Sequence, residues 1–172
     1  MNEIIIKENK KKVINLLILG IIMSLISICV LVNGLIERHI FYALIGIIGA
    51  IFFCGSFIFI LRSNLTRKPP LIIGKDGITD MSTAFSVGFI PWQEIQSIYV
   101  KKICYERFIG ITVHDINILT KRVSFLKKVG IKINLFLNYP PVAINLSTAD
   151  VEFDEVLELM QKRLEEYRIY SI

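Results

Sequence analysis

Hydrophobic positions along this chain follow two different rules, and the change falls near residue 70. From Val13 to Val32, and again from Ile40 to Leu61, no charged residue occurs. At ~1.5 Å per residue either run reaches about 30 Å as a helix, the thickness of the hydrocarbon core of a bilayer. The pattern predicts transmembrane helices over 13–33 and 40–61, joined by an external turn at 34–39. A cleavable signal sequence has an apolar stretch of only about 7–15 residues and a small-x-small cleavage site. Here the first run ends Val30-Leu31-Val32-Asn33-Gly34, without such a site, and a second run follows.

Helices in lipid gain little from hydrophobic burial, so small residues that let backbones approach become the packing signal. The first run offers Gly20, Ser24 and Ser27, and the second offers Gly46, Ala50 and Cys54 at intervals of four. The spacing predicts helix–helix packing through Gly20, Ser24, Gly46 and Ala50, or a homo-oligomer contact through the same ridge. No Asp, Glu, Lys or Arg lies within either run. An ion path or proton relay through the bilayer would have nothing to run on.

After the linker 62–70, closed by Pro69-Pro70, the pattern becomes that of short strands. Leu71-Ile72-Ile73, Ile78-Thr79-Asp80, Phe85 to Ile90, Ile95 to Tyr105, Phe108 to His114 and Val142 to Leu146 read as strands. Gly74-Lys75-Asp76-Gly77 forms a turn between the first two. Over 117–137, Leu119, Val123, Leu126, Gly130, Ile133 and Leu137 recur at helical spacing, with Lys121, Arg122, Lys127, Lys128 and Lys132 on other faces. Gly130 weakens one continuous helix, so the segment reads either as one helix or as two jointed there. The closing segment has Phe153, Val156, Leu157, Met160, Leu164 and Tyr167 on one face, with early acids suited to a helix N-terminus.

Charge changes the picture by its location. Net charge is +5, while residues 70–172 hold twelve basic and twelve acidic residues, so the excess flanks the apolar runs. Residues 1–12 read as a polar arm whose Lys10, Lys11 and Lys12 meet anionic headgroups, as do Arg67 and Lys68 beyond the second run. By the positive-inside rule both ends of the hairpin, and with them residues 71–172, face the cytoplasm. Nucleic acid would require a basic patch on the folded domain, and none is expected. Residues 101–132 carry eight basic and two acidic residues, and 150–168 carry seven acidic and three basic. Either the two segments lie side by side and neutralise each other, or Lys121, Arg122, Lys127 and Lys128 face the inner leaflet and leave the acidic helix for a protein partner.

Little chemistry is in view. Cys29, Cys54 and Cys104 are far apart and only His39 and His114 supply imidazole, so neither a disulfide framework nor a metal site is expected. The thiols suit a reducing compartment. His114 and Asp115 are sequence neighbours, which on a strand point to opposite faces. Gly74 and Gly77 lack the Lys-Ser/Thr of a phosphate loop. No enzyme and no cofactor is expected.

Strands followed by one C-terminal amphipathic helix give the order of a pleckstrin-homology (PH) fold. Gly77-Ile78-Thr79-Asp80 with Gly88-Phe89-Ile90-Pro91-Trp92-Gln93-Glu94-Ile95 resembles a motif of bacterial PH-like domains. The resemblance implies that Trp92 and Ile95 belong to the fold core. Two membrane helices ahead of such a domain are similar to a family of small bacterial membrane proteins, some of them linked to bacteriocin immunity. The chain as a whole therefore reads as a membrane α-helical hairpin plus an α+β cytosolic domain at 71–172, a PH-like antiparallel sheet or barrel with a C-terminal amphipathic helix. Its expected site is the inner membrane of a bacterium and its expected activity is binding, with self-protection against a membrane-active peptide as the alternative.

Overall fold

The computed structural model describes residues 3–66, 69–83, 85–103 and 105–170. The chain forms two compact units: Asn9–Lys68, and a second that joins the first eight residues to everything from Pro69 onward.

The first unit is a helical hairpin, α1 (Lys10–Ile36) and α2 (Ile40–Thr66). Both are long and apolar enough to cross a membrane, over Lys10–Ile36 and Ile40–Ser63. Only 11% and 6% of their most apolar stretches are buried, and most of their Ile and Leu side chains are exposed. The turn is shorter than the sequence suggests, with helix α1 running on through Asn33 and Gly34 to Ile36. It closes with Glu37 N–H on Asn33 O and His39 N–H on Gly34 O, both 2.9 Å, with Arg38 at a φ of 53°. Helix α2 likewise extends past Leu61 into the expected linker, since nothing forbids helix before Pro69.

In the second unit, β1 (Ile4–Ile6), β2 (Leu71–Ile73), β3 (Gly77–Asp80) and β4 (Gly88–Pro91) form one antiparallel sheet in that order. Strands β5 (Ile95–Ile103), β6 (Glu106–Val113) and β7 (Val142–Asn145) form a second. The polar arm expected over 1–12 is thus a strand followed by the start of a helix. Ile4 pairs with Ile73 and Ile6 with Leu71, and Ile6 is buried. Apolar burial of one such side chain contributes about 1.5–3 kcal/mol, and β1 covers an edge that β2 would otherwise leave open.

A 3-10 turn at Trp92–Glu94 links the sheets. Trp92 is 1% exposed and donates its indole N–H to Gly74 O at 3.2 Å. Ile95 is equally buried. Helix α5 (Phe153–Tyr170) buries Val156, Leu157, Met160 and Leu164 in the shared core. It also satisfies the free edge of β5, with Gln161 donating to Ile98 O at 2.9 Å and Arg168 to Gln96 O.

The 117–137 segment is two helices, but they do not join at Gly130. Helix α3 (Ile116–Arg122) ends at Val123, and α4 (Phe125–Phe136) begins after Ser124, both linking residues being extended. Gly130 lies inside α4 because the helix presses there on Phe85; a Cβ would come within 3.0 Å of that side chain. Asn138, at a φ of 57°, terminates α4, with Tyr139 N–H on Asn134 O.

Candidate functional site

The hairpin packs through small residues, though not only the expected ones. A Cβ on Gly34 would collide with the Ala43 backbone, and one on Gly46 with the Leu31 backbone. Gly49 faces Ser27, whose hydroxyl donates to Met23 O at 2.9 Å. Of the expected set, Gly46 is buried at this closest approach, while Gly20, near Phe57, Ser24 and Ala50 are half-buried on the facing sides. Gly34 and Gly49 fall outside the four-residue rows and were missed for that reason.

The expected membrane-surface residues fall into three groups. Lys10, Lys11 and Lys12 make the first turn of α1, where Asn9 caps Lys11 N–H and Lys12 N–H at 3.1 and 3.2 Å. The first turn of α1 contains no acidic residue, and lysines at the positive end of a helix dipole raise the local affinity for anions. Arg67 and Lys68 lie outside the described residues, as does Cys104. The remaining four are on α3 and α4, and they separate. Arg122 pairs with Glu94 at 2.6 Å, and Lys121 is exposed beside it. Lys127 turns toward the sheet, where its charge acts on Asp80, while Lys128 stays half-exposed and Lys132, one turn on, is exposed.

Asp80 is not the edge residue that its place at a strand end suggests, being 1% exposed. It accepts from Ser82 N–H at 2.9 Å and Ser82 hydroxyl at 2.7 Å. Burial pushes its carboxyl above the ordinary value; the bonds from Ser82 and Ser86 and the charge of Lys127 pull the other way. A void of about 30 Å³ between Asp80, Ser86, Gly130 and Asn134 has room for about one water.

The basic and acidic segments do touch, at Arg107 and Asp154. Arg107 holds Asp154 through both guanidinium nitrogens and stacks on the Phe153 ring at 4.2 Å. That bonding lowers the Asp154 carboxyl below its usual range. Among the described residues no ion pair reaches Lys128 or Lys132.

What sequence periodicity missed is the direction of α4. Only Gly130 and Ile131 are buried, while Phe125, Leu126, Ile133, Phe136 and Leu137 are exposed, Phe136 by 89%. Phe85, beneath Gly130, is itself 55% exposed. The pattern does contain the signal: Gly130 is the small residue that permits close approach, so its side of the helix is the one that packs.

Elsewhere, open concavities of about 300 and 260 Å³ flank the β2–β3 turn, the first beside Glu3 and Phe89, the second beside Trp92, Arg163 and Tyr167. The backbone N–H of His114 binds Glu94 O at 2.9 Å, and the Asp115 carboxylate caps α3 through Asn117 N–H at 2.7 Å. No cluster of three metal-ligating side chains occurs among the described residues. No family model, curated protein or solved structure matches this chain.

Proposed function

We propose that this chain is an integral inner-membrane protein of a bacterium, with both termini in the cytoplasm, whose PH-like domain acts by binding at the membrane surface rather than by catalysis. The observation that carries the reading is the pairing of β1 with β2. One strand precedes the hairpin and the other follows it, so the folded domain is assembled from both flanks and the hairpin is an excursion out of it. That connectivity supports an even number of crossings, and the lysines of the first α1 turn support a cytoplasmic side. Two antiparallel meanders closed by one amphipathic helix support the PH-like assignment. Anionic lipid headgroups are the primary partner, with a protein or a second copy as further binders.

Impermeant thiol labelling tests the topology. Cysteines placed at Glu3 and Tyr105, in a background without the native thiols, should both resist the reagent in intact cells and both react in inverted vesicles. Opposite behaviour of the two positions overturns the reading. Function is tested by challenging a sensitive bacterium with membrane-active peptides. No protection is the expected outcome for a binding module. Protection that the chain ending at Pro70 fails to give would instead favour the self-protection reading.

A further inference from the structure

We propose that α4 docks flat on the bilayer that holds the hairpin, its apolar face among the acyl chains and Lys128 and Lys132 on anionic headgroups. The inference rests on the membrane-anchored reading above and deepens it by assigning the face that meets lipid.

Three observations converge. The first is the face itself. At ~100° per residue, Phe125, Phe136, Ile133, Leu126 and Leu137 fall within a sector of about 120°, and all are at least half exposed. A water-soluble surface rarely gathers such side chains without a partner. Twelve residues give about 18 Å of helix, too short to span a bilayer and suited to lying in its interface.

The second is charge. Lys128 and Lys132 border the apolar sector on one side, one turn apart, and no Asp or Glu occurs between Ile116 and Leu137. A face of this kind is complementary to an anionic lipid surface and repels nothing there.

The third is position within the domain. Ile6 pairs with Leu71, Leu71 with Asp80, and Asp80 with Gly88. These four residues mark one end of the first sheet, where the chain leaves toward the hairpin after β1 and returns into β2. The β3–β4 connection lies at that same end, and its Phe85 is the residue on which Gly130 of α4 rests. The apolar face is thus at the end of the domain from which both membrane connections depart, and exposed Phe85 extends it.

Depth-dependent quenching in the full chain tests this. With the native cysteines replaced by serine, a nitrobenzoxadiazole label is placed through Ile133→Cys, Phe136→Cys, Glu158→Cys or Ile51→Cys. The protein is reconstituted into phosphatidylcholine–phosphatidylglycerol vesicles carrying doxyl-lipids. Labels at 133 and 136 should be blue-shifted and quenched several-fold more than the α5 label at 158. Phosphatidylcholine alone, or Lys128→Glu with Lys132→Glu, should remove most of the difference. Equal quenching at 133 and 158, with 51 still quenched by deep doxyl groups, overturns the docking while leaving the anchor intact. An unquenched label at 51 instead sinks the anchored reading. Disulfide crosslinking between copies through Ile133→Cys, without lipid quenching, would make the occupant a second copy and overturn the assignment. Quenching at 133 that is indifferent to lipid charge and to both lysine changes overturns the role of the lysines. Melting of each labelled protein, followed by Trp92 fluorescence, separates these outcomes from misfolding.

Discussion

Helices α4 and α5 are both amphipathic in sequence, and the fold uses them in opposite senses. Helix α5 turns Val156, Leu157, Met160 and Leu164 into the core and leaves Asp154, Glu155 and Glu158 outside. Helix α4 gives the core only Gly130 and Ile131 and leaves two phenylalanines, two leucines and an isoleucine outside. An apolar stripe establishes that one face avoids water; it does not establish what covers it. The largest contrast should therefore appear on truncation. Met160→Ala should cost the domain about 2–5 kcal/mol, the usual range for opening a cavity at a fully buried site. Ile133→Ala should stay within about 0.5 kcal/mol, as surface changes do. Denaturant unfolding monitored by Trp92, the single tryptophan, reports on this unit alone. Equal losses at the two sites would place the α4 face in a core and break the comparison.

That difference also marks how far the sequence could be read. The hairpin was legible because two long uncharged runs leave few other options, and strands β2 to β7 because short apolar runs there are punctuated by Gly, Pro and Asp, although the strand expected from Phe85 begins only at Gly88. Strand β1 was not. Three isoleucines between Glu3 and Lys7 are too few to show a period, and their partner lies more than sixty residues away beyond the hairpin. The break between α3 and α4 was misplaced because Gly130 carries a stronger local penalty than Ser124, yet tertiary contact with Phe85 reverses the preference. Of the candidate surface, the lysines were legible as a basic stretch. The sorting of Lys128 and Lys132 from inward Lys127 depends on which side of α4 packs, and the contact of Gly130 with Phe85 and the burial of Ile131 decide that, while Arg122 on α3 pairs with Glu94.

Gly130 gives the next sharpest test, because it fixes how α4 sits. Replacing it with leucine forces the helix away from Phe85 and should cost about 1–3 kcal/mol, the typical penalty for overpacking. Gly130→Ala is expected to be milder, since the helix gains about 1 kcal/mol from losing glycine against a contact at 3.0 Å. Adding Phe85→Ala to Gly130→Leu should recover much of the loss, a coupling that a double-mutant cycle reads directly. Strict additivity of the two changes would show that α4 is held by something other than this contact.

The smallest expected effect separates the two helices by the sign of a pH dependence. Asp80, buried under α4, has its carboxyl raised, chiefly by loss of hydration. Asp154, on the first turn of α5, has its carboxyl lowered, chiefly by the hydrogen bonds from Arg107. A raised carboxyl binds more protons in the folded state, so its contribution to stability falls as pH climbs from the unfolded value near 3.8 through the folded one, and is flat above. A lowered carboxyl does the reverse: its contribution is present above the unfolded value and is lost as pH drops through the folded one. Asp80→Asn keeps an oxygen for Ser82 N–H and hydroxyl while removing the charge. Relative to wild type, this variant should gain stability as pH rises out of the acid range. Asp154→Asn should lose stability over the pH range just below 3.8 and upward. Other carboxylates titrate in the same window, so each variant is compared with wild type at every pH, and the common background cancels. Curves for the two variants that move in the same direction would mean that Asp80 is held by its hydrogen bonds and Lys127 more strongly than it is opposed by burial. The floor beneath α4 would then resemble the rim of α5 in its electrostatics.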